Sequence, residues 1–404
     1  MSSIEIALEQ GAFPASVLAT LDAQCEHAPA RMLDPGFSRT AACVSCITWL
    51  DGDAGELRYR GYDVAELAEH YGFEAVSHLV VHGELPTPAE LASLLECTSA
   101  SAVPQALRDI AVSVAGNCHP MLALQAVTAA MSGYAPSDRA AGDAAPYRAS
   151  LATFLAWWPQ LAGDIHRAGH GLPLCDQGTG TYTVRLLQAC GLPTDEATAL
   201  ALEVLLVCHA DHELNCSTTT ARTAASSHAD VFAAVTAAVG SLSGPLHGGA
   251  NEAVIRQLQE LSQTGRSGSE LVAQVESGEL RLMGFGHRVY KNYDPRAKVI
   301  RHTADDVFAA RGEHPLLALA LDVEANALAS EYFKKRKLFP NVDFFSGLVY
   351  EALGFDPSFF TVLFALGRIP GWLAHCAEQL DDSTQKIVRP LQVFQGTYYR
   401  PLPE

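Results

Sequence analysis

The sequence predicts a mainly α chain with two domains and a small N-terminal β-hairpin region, and three observations carry that prediction. Downstream of Asp63 the apolar residues recur at helical spacing almost to the C-terminus. Upstream, residues 43–50 and 56–60 are short β-rich runs flanking Asp51-Gly52-Asp53-Ala54-Gly55, a composition suited to a hairpin turn. At 404 residues the chain exceeds the size at which a single hydrophobic core stops growing.

Taken in order, residues 1–30 carry no strong punctuation, and the hairpin follows at 43–60. Helices are expected at 64–71, 74–82 and 87–93, with Pro86 and Pro88 marking breaks. One or two more fall within 104–134, followed by a small, polar, turn-rich surface loop at 135–146. A helix at 147–161 should pack Trp157 and Trp158, and 163–180, rich in glycine and histidine, reads as irregular. The segment 195–212 is so strongly apolar that it predicts a helix buried among other helices. Further helices are expected at 227–242, 251–264, 269–277, 294–311, 315–333, 343–353 and 361–379.

Composition narrows the function classes. A hydrophobic share of 49% with 18% charged residues describes an ordinary folded chain. A formal net charge of −18 argues against nucleic acid or an anionic membrane as partner. No apolar run approaches the roughly 20 residues that span a bilayer. The first ten residues carry Glu5 and Glu9 with no basic or apolar leader region, so no secretory signal is expected. Ten cysteines in a chain of this length read as reduced thiols, which points to the cytoplasm.

The chemistry concentrates in 283–296, Met-Gly-Phe-Gly-His-Arg-Val-Tyr-Lys-Asn-Tyr-Asp-Pro-Arg. Gly284 and Gly286 let the backbone approach a ligand closely, and His287 is followed by Arg288, Lys291 and Arg296. Residues 281–337 hold 11 of the 27 Lys and Arg residues of an acidic chain, which suits a defined site for a small polyanion. A solvated basic surface is the plainer reading of the same charges. In 243–253, glycines bracket His247 just before an expected helix start; backbone N–H groups there favour a neutral imidazole that can donate a hydrogen bond to a developing enolate. In 340–347, Asp343 lies beside Val342 and two phenylalanines. As an N-cap it would be ordinary; buried among those rings it would be poorly solvated, more basic and suited to proton abstraction. His209 and His212 are three apart at the end of the buried helix, and His166 and His170 stand in the irregular stretch. Neither pair has the partners or spacing of a metal site, so no metal is expected.

Taken together, GPLHGGANEA around His247, MGFGHRVYKNYDPR around His287 and PNVDFFSG around Asp343 resemble the citrate synthase family, in the family's order. ADHELNCST at 210–218, LFALGRIPGW at 363–372 and the N-terminal stretch 34–67 resemble its bacterial form; 100–195 resembles it weakly. The resemblance implies a two-domain helical fold: a large domain over 1–252, a small domain over 253–360 that closes on it, and a return over 361–404 that reaches a partner subunit. It implies condensation of acetyl-CoA with oxaloacetate and hydrolysis to citrate and CoA, with no cofactor beyond that co-substrate. Asp343 would take the methyl proton, His247 would hydrogen-bond the thioester oxygen and His287 would polarise the ketone. Arg296, Arg368 and Arg389 would hold carboxylates, Arg389 from the neighbouring subunit, with His212 lining the pocket and Lys291 meeting CoA phosphate. The assembly would be a homodimer or hexamer. Departures cluster near the C-terminus: Leu391 stands where relatives often have Arg, Phe394 where they have Tyr and Cys376 where they have Trp. Propionyl-CoA or an oxaloacetate analogue therefore remains an alternative substrate. A non-catalytic CoA- or dicarboxylate-binding paralogue is disfavoured, since a binder has no need of a base.

Overall fold

Short polar side chains write the helix ends of this chain. The computed structural model describes residues 15, 17–18, 31–135, 142–312 and 314–403. Most of the first 30 residues, and part of the loop expected at 135–146, lie outside the described residues. Two compact units form: the described residues up to Ser45 together with those from Arg389 onward, and Cys46–Val388.

In the first unit Asp34 closes a turn, accepting the N–H groups of Ser38 and Arg39 at 3.0 and 2.8 Å and the Thr40 hydroxyl at 2.7 Å. Its C-terminal arm has no helix or strand and leaves Leu391, Val393, Phe394, Tyr398, Tyr399 and Leu402 exposed.

The second unit opens with a three-stranded antiparallel sheet of β1 (Thr48–Asp51), β2 (Glu56–Tyr59) and β3 (Tyr62–Asp63), in register Thr48↔Tyr59 and Asp51↔Glu56. The rest is helical: α1 (Val64–His70), α2 (Phe73–His82), α3 (Pro88–Ala100), α4 (Gln105–Ala115), α5 (Pro120–Met131), α6 (Ala145–Gly169), α7 (Tyr182–Cys190), α8 (Glu196–His209), α9 (Cys216–Ala225), α10 (Val231–Leu242), α11 (Ala250–Gln263), α12 (Gly268–Ser277), α13 (Pro295–Arg311), α14 (Leu317–Ala329), α15 (Glu331–Arg336), α16 (Val342–Leu353) and α17 (Phe360–Asp381). Asp63, Asp195, Asn215, Asp230 and Asp294 each cap the following helix through a side-chain oxygen. A full capping box between Thr87 and Glu90 starts α3, which runs seven residues past its expected end at 93, to Ala100.

The differences from expectation have tertiary causes. α6 continues through Gly163 to Gly169, into the first part of the stretch read as irregular, because Asp164 is fully buried and bound bidentately by Arg108 at 2.8 and 2.9 Å; 170–180 is irregular as expected. α7 and α9, unannounced by strong periodicity, form under Thr181 and Asn215 caps and bury Arg185 and Arg222. The expected helix 315–333 is two, because the Ser330 hydroxyl caps α15. α17 packs against α2, α6, α8, α9 and α10, with Trp372 fully buried. By length and composition the stretch Pro357–Asp381 could cross a membrane, contrary to expectation, but 94% of its most apolar window is buried inside the fold. The nine cysteines among the described residues, including the Cys43-x-x-Cys46 pair, form no disulfide.

Candidate active site

The end of α8 and the middle of α17 supply one wall. Gly367 and Gly371 present a face without side chains, and a Cβ on either would meet α8 or the turn after it, at 2.9 Å from His209 Cβ and 2.4 Å from Asp211 Oδ1. This close approach lets buried Arg368 donate from Nε to the His209 carbonyl at 2.5 Å and lie 4.9 Å from the Phe364 ring. Burial brings the Arg368 guanidinium down to about 10, so this cation is held in a dry setting. His209 stays on α8, donating to the Leu205 carbonyl at 2.6 Å, and burial drops its pKa to about 3. His212 lies past the helix end, so the two histidines do not share a helix face. Among the described residues no group of His, Cys, Asp or Glu is arranged to hold a metal ion.

The second wall is irregular backbone. Gly284 and Gly286 take φ of 74° and 80°, the left-handed region that side chains disfavour. There the chain pairs with the segment leading to α16: Gly286 N–H donates to Phe339 at 2.8 Å, Asn341 N–H donates to Gly284 at 2.9 Å, and Asn341 Nδ2 reaches the Gly286 carbonyl at 2.9 Å. That stitch carries His287 and Asp343 on adjoining strands of backbone. His287 Nδ1 accepts the N–H groups of Val289 and Tyr290 at 3.1 and 3.3 Å, so in the neutral ring the proton resides on Nε2. Burial, then the Arg296 charge, lowers its pKa to about 4. Its ring lies 5.1 Å from that of His212, whose Nε2 is 3.2 Å from the Tyr290 hydroxyl. His212 is held well below its ordinary value by burial and by Arg296, His287 and Arg368.

Asn341, not Asp343, caps α16, accepting the Asp343 N–H at 3.0 Å. Asp343 is free of capping duty, and burial raises its carboxyl to about 6 despite the opposing charge of Arg296. Arg296 itself is buried and paired with Asp294 through two bonds of 2.8 and 3.1 Å. Asp294 therefore serves both as the α13 cap and as the counter-ion that a buried guanidinium requires.

His247 sits in the turn between α10 and α11, its N–H bonded to the Gly244 carbonyl at 2.9 Å. Its Nε2 accepts the Ser217 N–H at 3.2 Å and lies 2.9 Å from Ser217 Oγ, which is itself held by Trp372 Nε1 at 3.1 Å and Asn215 Oδ1 at 2.8 Å. The neutral ring then carries its proton on Nδ1. Its pKa, about 4, is lowered by burial and by Arg368 rather than chiefly by the helix start that the sequence suggested.

The charges of the basic stretch divide. Arg301 pairs with Glu324 at 3.0 Å, Arg311 with Asp195 at 2.9 Å and Lys334 with Glu331 at 2.9 Å, while Lys291 is an exposed side chain on a backbone bonded to Gly52. Arg389 is exposed in the other unit. Ser217, Asn215, Trp372, Tyr290 and Asp294 went unselected from the sequence. Only the last carried a signal there, an acidic residue immediately before Pro295 and Arg296.

Comparison with known proteins follows this geometry. The family model "Citrate synthase, C-terminal domain" matches residues 36–391. Citrate synthase of Corynebacterium glutamicum is 43% identical over 380 residues, 91% of this chain and 87% of that protein. The glyoxysomal citrate synthase of Cucurbita maxima is 42% identical over 407 residues, 97% and 79% of the two chains. Among solved structures, the ternary complex of citrate synthase from Thermoplasma acidophilum with carboxymethyl coenzyme A and oxaloacetate superposes with a TM-score of 0.85 at 30% identity, covering 93% of this chain and 99% of that one. The Pyrobaculum aerophilum citrate synthase gives 0.81 at 32%, covering 91% and 94%. Matches of this extent span the helical scaffold and the polar cluster alike, and the chain belongs to the citrate synthase family.

Proposed function

We propose that this chain condenses acetyl-CoA with oxaloacetate and hydrolyses the resulting thioester to citrate and free CoA. One observation carries the reading: a half-buried carboxyl raised to about 6 and two half-buried imidazoles lowered to about 4 each feel the charge of one of two buried guanidiniums, Arg296 or Arg368. A thioester α-proton is too weakly acidic for a lone carboxylate, so a base and a preorganised donor must act together, each worth on the order of a hundredfold or more. Asp343 takes the methyl proton. His247, neutral with its proton on Nδ1, donates to the thioester oxygen as the enolate forms. The new carbon nucleophile attacks the oxaloacetate ketone, whose oxygen receives a hydrogen bond from His287 Nε2–H. Water then cleaves the thioester.

Arg296 and Arg368 hold the carboxylates of oxaloacetate, and His212 lines the same pocket. Guanidinium suits this task because its planar fork matches a carboxylate bidentately. Lys291, exposed at the rim, meets a CoA phosphate. Residues 253–360 act as the domain that closes, and their glycine-dependent loops fit that role. Arg389 enters the pocket of a second copy. The exposed apolar arm with Leu391, Phe394, Tyr398 and Tyr399 supports a homo-oligomer of at least two chains. Free thiols and the burial of its most apolar helix fit an enzyme of the cytoplasm.

The test is release of free thiol from acetyl-CoA and propionyl-CoA, each with oxaloacetate, pyruvate and close analogues. Acetyl-CoA with oxaloacetate should give the highest kcat/KM. One methylene is worth about 1–3 kcal/mol in a pocket, so a preference for propionyl-CoA would show as a clear inversion.

A further inference from the structure

We infer that the tip of the β1–β2 hairpin, and Gly52 above all, positions His287, an inference that rests on the role proposed for His287. The hairpin is anchored at its base beside His212. Thr48 Oγ1 donates to Asp211 Oδ2 at 2.6 Å, and the buried Tyr59 hydroxyl donates to the Asp211 carbonyl at 3.0 Å. Its tip is stiff: the Asp51 carbonyl accepts the Gly55 N–H at 2.8 Å, and Asp51 Oδ1 accepts the N–H groups of Asp53 and Ala54, both at 2.9 Å.

That tip ends against the backbone of 289–293. The Gly52 carbonyl accepts the Lys291 N–H at 2.8 Å. A Cβ at position 52 would stand 2.3 Å from the Val289 carbonyl oxygen, and one at Gly55 2.9 Å from that of Tyr293. Neither neighbour is the end of a flexible side chain, so neither can swing aside. The peptides so touched are those that hold His287, whose Nδ1 takes its two hydrogen bonds from Val289 and Tyr290. Residues 287–293 lie in no helix or strand, so the hairpin supplies the support that regular structure would otherwise give. Gly52 is not among the residues with positive φ. Alanine therefore suits the turn itself, and what it cannot accommodate is Val289. Pushing that peptide away loosens the contacts that keep the His287 proton on Nε2.

The experiment compares Gly52→Ala with Trp49→Ala, an exposed position on the hairpin away from the tip. Both are followed by thiol-release kinetics and by nitrogen NMR of 15N-histidine-labelled full chain. Gly52→Ala should lower kcat about 10- to 100-fold, the scale of a misplacement of about an ångström, with a smaller change in KM for acetyl-CoA. Its His287 signals should move toward mixed tautomers, while Trp49→Ala leaves both readouts unchanged. A Gly52→Ala chain with kcat within about twofold of the parent, or with the His287 tautomer intact, overturns the proposal. If the unmodified chain releases no thiol, the reaction assignment fails, and the NMR readout still decides the positioning. A second measurement needs no variant: the Lys291 amide of the unmodified chain should exchange slowly with solvent. Exchange at the rate of a free loop overturns the proposal even if Gly52→Ala does not fold.

Discussion

The two walls of the site solve the same problem by different means. On the α8–α17 side, His212, Arg368 and His247 are fixed by side chains and helices: Ser217 and Trp372 hold His247, and two glycines seat Arg368 on the end of α8. On the other side, His287 and Asp343 are fixed by backbone: positive-φ glycines, a short pairing of 284–286 with 339–341, and the hairpin tip. The first construction is rigid because it is core. The second is irregular backbone stitched onto core residues such as Phe285 and Phe344, and on the proposed function it is the wall that would move to admit substrate and exclude water. On the proposed function, the proton acceptor and the ketone's donor ride together, separate from the thioester's donor, so closure would assemble the full set.

Removing the acceptor gives the largest effect. Asp343→Asn should keep substrate binding and lose turnover by about 10²–10⁴-fold, the range of a positioned acid or base. A variant retaining more than about a tenth of the parent rate, far outside that range, would remove Asp343 from the mechanism. The same variant tests whether the arm completes the site. Mixed under subunit exchange with an Arg389→Ala chain, it should regain activity, because one site then combines an intact Asp343 with an intact Arg389. Full exchange with only inactive mixtures would sink the shared-site arrangement.

A pH profile sharpens the contrast between the walls. A carboxyl raised to about 6 is protonated below that pH and cannot accept a proton. Activity is therefore present above about 6, and kcat/KM should fall about tenfold per pH unit beneath it. His247 and His287, at about 4, remain neutral across that limb and do not shape it. A midpoint near the ordinary carboxyl value of 3.8 would show that burial does not tune this base.

The smallest effect lies on the rigid side. Ser217→Ala removes the hydroxyl beside His247 Nε2 but leaves the backbone N–H that fixes its tautomer. The loss in kcat should be about five- to tenfold, near the value of one hydrogen bond. A drop as large as that of Asp343→Asn would mean that the hydroxyl itself takes part in the chemistry.

The sequence by itself determined the helical class, the hairpin and its turn, and the three chemistry-bearing segments around His247, His287 and Asp343. Those are local facts: periodicity, glycine where a backbone must bend, and a polar residue set among apolar ones. It also announced most helix starts, because a side-chain cap acts within three residues of itself. What tertiary structure alone decided are the relations between distant residues. The continuation of α6 past Gly163 depends on Arg108. That Asn341 rather than Asp343 does the capping leaves Asp343 for burial, and no propensity separates the two residues. The partners of His247 lie at 217 and 372, joined to it only by packing, and the hairpin meets the His287 loop across more than two hundred residues of chain. Burial, which sets every pKa on which the mechanism rests, is a property of the assembled molecule. A sequence shows which groups can be buried, and only the fold decides which of them lose their water.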